Sequence, residues 1–298
     1  MMEHQLTAGR LRSMPLPMPE VGSKDERGSV LVLGGCVEVP GAVLLAGIAA
    51  LRAGAGKLKI ATVRSVAVPL AWAMPEAMVI GLPETEEGGI DPNGAEDRVS
   101  TAADRCDAVL IGPGMTTDGA TTALTVALLS AQPSSSFVLD AGAVCELGAH
   151  AEAVRACGGR VVITPHAGEM AQLLKKGRDE IEADPLNAAL RAADLLQAVV
   201  IMKGAQSWIV DPQGQRWLYG GGGVGLATSG SGDVLAGIVA GLLARGTPAM
   251  TAALWGAYLH GEAGLRLAAS GGPIGFLARE ISGQVPAIMR DMMREPGA

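Results

Sequence analysis

The segment ATSGSGDVLAG (residues 227–237) sets Gly230 and Gly232 either side of Ser231, then places one carboxylate, Asp233, where an apolar run begins. Glycines leave successive backbone N–H groups unobstructed. A helix beginning near Gly232 adds the positive end of its dipole, so the segment is suited to hold phosphate oxygens. It is neither a GxxxxGK[ST] phosphate loop nor a GxGxxG dinucleotide turn after an early strand. Asp233 admits two roles. It can be an ordinary acidic residue of a helix N-terminus, favoured by the dipole. It can also be a general base that takes the proton of a substrate hydroxyl as that oxygen attacks a terminal phosphoryl group.

Other polar residues sit where apolar runs end: GGCVEVPGA follows Leu33, GPGMTTD follows Ile111, DAGAV follows Leu139, TPHAGE follows Ile163 and KGAQS follows Met202. In open α/β sheets ligands bind at the carboxyl ends of the strands, so five such endings imply one convergent site. GPGMTTD lets main chain approach a ligand at Gly112 and Gly114, and Asp118 could cap the next helix. In TPHAGE, Pro165 stops the strand, and His166 and Glu169 lie three apart at a helix start where both can face the crevice. From position alone His166 reads more readily as a structural histidine than as a functional one.

The elements that must position these residues follow from periodicity. Short apolar runs at 29–33, 58–62, 108–112, 136–140, 160–164 and 199–203 read as strands, and 41–53, 118–130, 168–176 and 187–196 as helices. Near-continuous apolar strands alternating with helices predict a mostly parallel central sheet covered on both faces, a three-layer αβα architecture. SWIVD and QRWLYG about Pro212–Gly214 read as an edge hairpin, and most of the chain beyond Gly232 as helix. The acidic stretch 81–98 reads as a surface loop. Residues 1–27 are expected to form an N-terminal extension and 28–298 a single domain. Gly220 to Gly223 read as a mobile approach to the site without chemistry of their own.

Composition narrows the partners. The 298 residues are 49% hydrophobic and 18% charged, with net charge −7. That balance argues against disorder and against a basic field for nucleic acid, and only two Tyr, two Phe and four Trp are present for base stacking. An anionic substrate must therefore be held by local groups such as helix-start amides. The apolar stretches break before the roughly 18 residues that span a bilayer, and the N-terminus lacks a signal-peptide pattern. A cytoplasmic chain without membrane partners is expected. Cys36, Cys106, Cys145 and Cys157 show no CxxC spacing and read as reduced structural thiols.

The blocks GSVLVLGGCVEVPGAVLLAGIAALRAGAGKLKIAT, VLIGPGM, VLDAGAV, VITPHAGEMAQLL, VVIMKGAQSWIVDPQG, LATSGSGDVLAGIVAGLLARG and YLHGEAG, in that order, resemble the nucleotide-dependent NAD(P)H-hydrate dehydratases of the ribokinase-like superfamily over about residues 28–290. The resemblance implies repair of NADHX and NADPHX, the 6-hydroxylated forms of the nicotinamide cofactors, to NADH and NADPH, with ADP or ATP as co-substrate and Mg²⁺. It assigns Asp233 as the base and a substrate contact, with the amides of Gly230, Ser231 and Gly232 holding the transferring phosphoryl group. Ala42, Gly114 and His166 match positions that contact NAD(P)HX. Lys203, Gly204, Ala205, Gln206, Ser207 and Gly232 match positions that contact the adenine nucleotide. Asp140 and Glu169 are weaker candidates, acting through a hydrated Mg²⁺.

Members commonly carry His-Lys-Gly before the first strand and Tyr-Pro-Gly-Ala after it, where this chain has KDERG and VEVPGA, with Val39 for the tyrosine and Cys36 for a small hydroxyl residue. These departures touch the substrate side more than nucleotide use. Many members also carry an epimerase domain, which is expected here as a separate protein. The resemblance implies a homo-oligomer, a tetramer among the options, and the helix over 251–269 could bury a subunit interface or belong to the core. A small-molecule alcohol kinase and a nucleotide-binding protein without turnover are the alternative functions. Under the second, Asp233 has no evident task.

Overall fold

The computed structural model describes residues 3–19, 23–132 and 134–293. In chain order the elements are β1 (Glu3–Gln5), α1 (Ala8–Arg12), β2 (Ser29–Leu33), α2 (Gly41–Arg52), β3 (Lys57–Val63), α3 (Arg64–Ala73), β4 (Ala77–Leu82), α4 (Pro92–Ala103), β5 (Ala108–Ile111), α5 (Gly119–Ala131), β6 (Ser136–Leu139), α6 (Ala151–Ala156), β7 (Val161–Ile163), α7 (Ala167–Leu174), α8 (Arg178–Ala183), α9 (Pro185–Leu196), β8 (Val199–Met202), β9 (Ser207–Val210), β10 (Arg216–Tyr219), α10 (Ser231–Ala244), α11 (Ala249–Gly271) and α12 (Ala278–Met293). The strands form one sheet in the order β1-β10-β9-β8-β7-β6-β5-β2-β3-β4. Of the described strands only β9 runs against its neighbours.

Every residue of β2, β5 and β8 is buried, as parallel strands covered on both faces require. Alternate residues feed two cores. Val30 and Val32 join Val43 of α2, Val234 of α10, Trp255 of α11 and Ile281 of α12. Leu31 and Leu33 join Val99 of α4, Leu124 of α5, Met170 of α7 and Ala189 of α9. The result is the expected three-layer αβα arrangement. From β2 the chain passes outward to β3 and β4, then returns to place β5 on the other side of β2. That reversal opens a crevice above the carboxyl ends of β2 and β5, the usual place for a ligand in such a sheet.

Three departures from the sequence expectations have local causes. The stretch 81–98 is not one loop: it completes β4, makes a bridge between Glu84 and Ile90, and enters α4. Asp91-Pro92, a turn signal when read alone, is an N-cap followed by proline at the first helical position, and the Asp91 side chain accepts from the Asn93 N–H. Helix α3 carries Pro69 and buries only Ala67 and Leu70, so its periodicity is faint. The β9–β10 hairpin has the short strand β1 on its outer side.

The stretch 1–27 packs into the main core where it is described. Leu6, Leu11 and Leu16 are buried, and Trp255 Nε1 donates to the Met14 carbonyl at 2.8 Å. Helix α11 buries Trp255, Leu259 and Ala263, which makes 251–269 a core helix on at least that face. The four cysteines are free and buried, and no helix among the described residues is long and apolar enough to cross a membrane.

The helix that carries Asp233 is seated by close packing on α2. A side-chain carbon at Gly237 would come within 2.2 Å of the Ala46 carbonyl oxygen, and one at Gly241 within 2.3 Å of the Ala50 carbonyl oxygen. Both obstacles are backbone, which cannot rotate away. Gly237→Val is therefore expected to destabilise the protein by at least about 2–3 kcal/mol, or to prevent folding, in a denaturant titration. An unchanged midpoint would contradict this seating of α10.

Candidate active site

Adjacent strands β8, β7 and β6 end in Lys203, Thr164 and Asp140, so sheet order sets these three side by side. Lys203 Nζ donates to Asp140 Oδ1 at 2.8 Å, and Thr164 Oγ1 donates to the same oxygen at 2.7 Å. Glu169 Oε2 stands 3.7 Å from the ammonium. Asp140 and Glu169 are buried. Desolvation alone would lower the Lys203 pKa. The charges of Asp140 and Glu169, with the hydrogen bond that Lys203 donates to Asp140, outweigh it and raise the pKa.

Glu169 is held by a capping box. Its Oε2 accepts from the His166 N–H at 2.8 Å, while His166 Nδ1 accepts from the Gly168 and Glu169 N–H groups at 3.0 and 3.2 Å. Two backbone donors on Nδ1 leave the ring proton on Nε2 when the imidazole is neutral. His166 is thus first a helix cap, with its half-exposed ring in the wall of a cavity shared with Lys203 and Gly204. Ala42 and Gly114 pack against each other elsewhere, above β2 and β5.

Helix α10 begins at Ser231 behind Gly230, which has φ +84°. A side chain at 230 would strike Leu45 Cδ1 at 2.4 Å as well as straining that backbone. The turn places Asp233 in the first helical turn, facing the charges of Asp140, Lys203 and Glu169. Burial lifts the Asp233 carboxyl to about 7; the Asp140 charge adds to the rise, Lys203 opposes it and Glu169 adds again. Three carboxyl groups share one ammonium, so Asp233 is poised between its acid and base forms near neutral pH, as suits a general base.

A cavity of about 820 Å³ opens beside this cluster. Lys203, Gly204, Ala205 and Ser207 line it from the β8–β9 turn, and Ser231 and Gly232 from the start of α10. Gln206 is absent from that wall; its Nε2 lies near Gly220. Gly230 acts behind the wall as the turn into α10. Gly220, Gly221 and Gly223, read from sequence as an approach without a role, form part of the lining, together with Tyr219, Thr228 and His260. Sequence reading missed His260 as a site residue, although its YLHGEAG block was visible. Desolvation pulls its pKa down to about 4, against a hydrogen bond with the Ser231 backbone, so its ring is neutral.

On the other side of the cluster lies the crevice above β2 and β5. The Gly35 N–H donates to the Pro113 carbonyl at 2.7 Å and the Val37 N–H to the Gly88 carbonyl at 3.0 Å, tying together the loops after β2, β4 and β5. Gly114 has φ +68°, and a side chain there would meet the Val39 carbonyl at 2.6 Å and Ala42 Cβ at 2.9 Å. Val37 and Val39 stand about half exposed on this rim and Cys36 is buried beneath it. Asp233 lies in the first turn of α10, whose start lines the glycine-rich cavity, within reach of the charges of Asp140, Lys203 and Glu169. Among the described residues no three His, Cys, Asp or Glu side chains stand close enough together to hold a metal ion.

The sequence profile of the NAD(P)H-hydrate dehydratase family matches residues 30–287. The chain is 49% identical to an ADP-dependent (S)-NAD(P)H-hydrate dehydratase of Xanthomonas campestris over 97% of both chains. Its structure superposes with TM-score 0.80 on an ADP/ATP-dependent NAD(P)H-hydrate dehydratase of Bacillus subtilis co-crystallized with ATP/Mg²⁺, at 28% identity over 98% of this chain and 100% of that one. A ribokinase-like superfamily protein of Enterococcus faecalis gives TM-score 0.81 at 26% identity, over 97% and 96% of the two chains.

Proposed function

The chain belongs to the NAD(P)H-hydrate dehydratase family, and on that premise we propose that it uses ADP or ATP to dehydrate (S)-NADHX and (S)-NADPHX to NADH and NADPH. The observation that carries the reading is the position of Asp233, half-buried in the first turn of α10 beside the glycine-lined cavity and among the charges of Asp140, Lys203 and Glu169. Hydroxide is a poor leaving group and phosphate a good one. Asp233 takes the proton of the C6 hydroxyl as its oxygen attacks the terminal phosphoryl group, and the phosphorus–oxygen bond to the nucleotide breaks, leaving AMP or ADP. The nicotinamide ring nitrogen then pushes out phosphate by cleavage of the C6–O bond, and the adjacent carbon loses a proton to complete the double bond.

The chain's own groups divide this work. Amides of Gly230 and Gly232 receive the phosphoryl oxygens, while the Ser231 N–H closes the turn onto the Thr228 carbonyl at 3.2 Å; the Lys203–Ser207 turn and the neighbouring glycines take the nucleotide, and Ala42 and Gly114 border the hydrated nicotinamide. His166 meets substrate from the rim of the nucleotide cavity. Asp140 and Glu169, two carboxylates beside Lys203 at the start of the cavity, are the residues that would hold a hydrated Mg²⁺ there. When bound, the ion offsets phosphate charge. The reading is tested with hydrated NADH or NADPH plus ADP or ATP, following absorbance in the NADH band. Recovery is expected; a phosphorylated product that accumulates unchanged would favour an alcohol kinase, and no recovery with either nucleotide would refute the proposal.

Gly232→Ala separates binding geometry from folding. A side-chain carbon there would stand 3.3 Å from Lys203 Nζ and 3.9 Å from Asp140 Oδ2, inside the phosphoryl site. Alanine is also the better helix former, by up to about 1 kcal/mol. Turnover is expected to fall at least about tenfold while Tm holds or rises. A variant with parental turnover would remove Gly232 from the phosphoryl site.

The protein is also proposed to work as a homo-oligomer. Trp72, Val68 and Met78 are exposed beside the outer edge of β4, an apolar surface consistent with subunit contact. Light scattering at the monomer mass would contradict it.

A further inference from the structure

Ser231 and His260 form a polar pair that the scheme above does not use. His260, on α11, reaches the first turn of α10 and places Nε2 2.9 Å from Ser231 Oγ and 3.0 Å from the Ser231 carbonyl oxygen. A carbonyl oxygen can only accept. Nε2 must therefore carry the single N–H of the neutral ring and direct it toward Ser231. With that donor beside it, Ser231 Oγ serves as an acceptor and its own hydrogen must point elsewhere. Among the described residues no acceptor is bonded to that hydrogen, and Ser231 lines the cavity that begins at the amides of α10.

We infer that His260 is a positioning residue for phosphoryl transfer: it fixes the Ser231 hydroxyl as a donor aimed at the transferring phosphoryl group. The ligand recognised is the terminal phosphate of a nucleoside di- or triphosphate. The inference rests on reading Gly230 to Gly232 as the phosphoryl cradle. A hydroxyl free to rotate would spend part of its time accepting from water or turned toward a backbone oxygen. One held by an N–H on its lone pair keeps its hydrogen toward the developing negative charge, where a preorganised donor counts most.

The test is a double-mutant cycle on steady-state turnover of hydrated NADH with saturating nucleotide. Ser231→Ala is expected to lower kcat by about 10²-fold, the usual cost of one preorganised donor. His260→Leu, which has no donor, is expected to lower kcat by about 10-fold or more with nucleotide KM changed less than about threefold. His260→Gln, which can offer an N–H, should recover much of that loss. In the Ser231→Ala background, His260→Leu should cost less than about twofold more, because the partner through which it acts is gone. Far-UV circular dichroism and Tm of each variant exclude unfolding, and His260→Phe, which also lacks a donor, serves where the leucine variant does not fold. Losses that multiply in full would overturn the inference while leaving the phosphoryl cradle intact. An unchanged kcat in Ser231→Ala alone would overturn the inference, whereas the amide cradle is tested separately by Gly232→Ala.

Discussion

Asp233→Asn is expected to reduce turnover by roughly 10³-fold while leaving nucleotide affinity within about threefold, because the amide keeps the shape of the carboxylate but cannot take a proton. The same variant should be more stable than its parent at neutral and alkaline pH. In the folded protein Asp233 titrates at about 7 against an ordinary value of 3.8. Between those values the folded state keeps a proton that the unfolded state has released, so stability falls as pH rises through that window. Above it the full cost of a partly desolvated, crowded carboxylate is present. Asparagine carries no such cost, so Tm should rise by roughly 5 °C at about pH 8, with the gain shrinking toward about pH 4. In the parent, kcat/KM should climb about tenfold per pH unit below 7 and level above it. Loss of activity without the pH-dependent stability gain would mean that Asp233 is not held in this charge cluster.

Lys203→Met is expected to act on both stability and the pH profile. The ammonium is the cation shared by Asp140, Glu169 and Asp233. Removing one partner of a buried ion pair typically costs about 3–5 kcal/mol, since the remaining charge stays buried and unpaired. Here Asp140 would keep only the Thr164 hydroxyl among its side-chain donors. The lysine also opposes the rise in the Asp233 pKa, so its loss should move the midpoint of the pH–rate profile upward by about one pH unit. Turnover lost at neutral pH should return in part at about pH 9. A profile with an unmoved midpoint would show that Lys203 does not set the ionisation of the base. Denaturant titration and initial rates across pH measure the two effects separately.

How much of this was legible beforehand depended on whether a feature is local. The all-apolar strands announced themselves because a parallel sheet buries both faces, and the polar residues after Leu33, Ile111, Leu139, Ile163 and Met202 then had to meet at one end. Asp233 stood out by its place between glycines and an apolar helix. The Lys203–Thr164–Asp140 row was not legible, because it depends on strand order β8-β7-β6 across about 60 residues of chain, which no local pattern encodes. Lys203 read as a nucleotide contact alone, whereas it also neutralises the acids around the base. His166 read as a residue facing substrate, yet its spacing to Glu169 was already that of a capping box with histidine in the place of serine or aspartate. Strands β1 and β4 were missed for different reasons: three residues carry no periodicity, and AMVIGL lay between a proline and a glycine-rich stretch.

The order of events, phosphoryl transfer before loss of the hydroxyl, is the centre of the account, and an isotope decides it. Hydrated NADPH carrying heavy oxygen in its C6 hydroxyl is turned over with ADP or ATP, and the released phosphate is analysed by mass spectrometry. Transfer onto that oxygen followed by C6–O cleavage places the label in inorganic phosphate, one labelled oxygen for each NADPH formed. Unlabelled phosphate, with the heavy oxygen in water, would show nucleotide hydrolysis running beside a direct dehydration and would contradict the role given to Asp233.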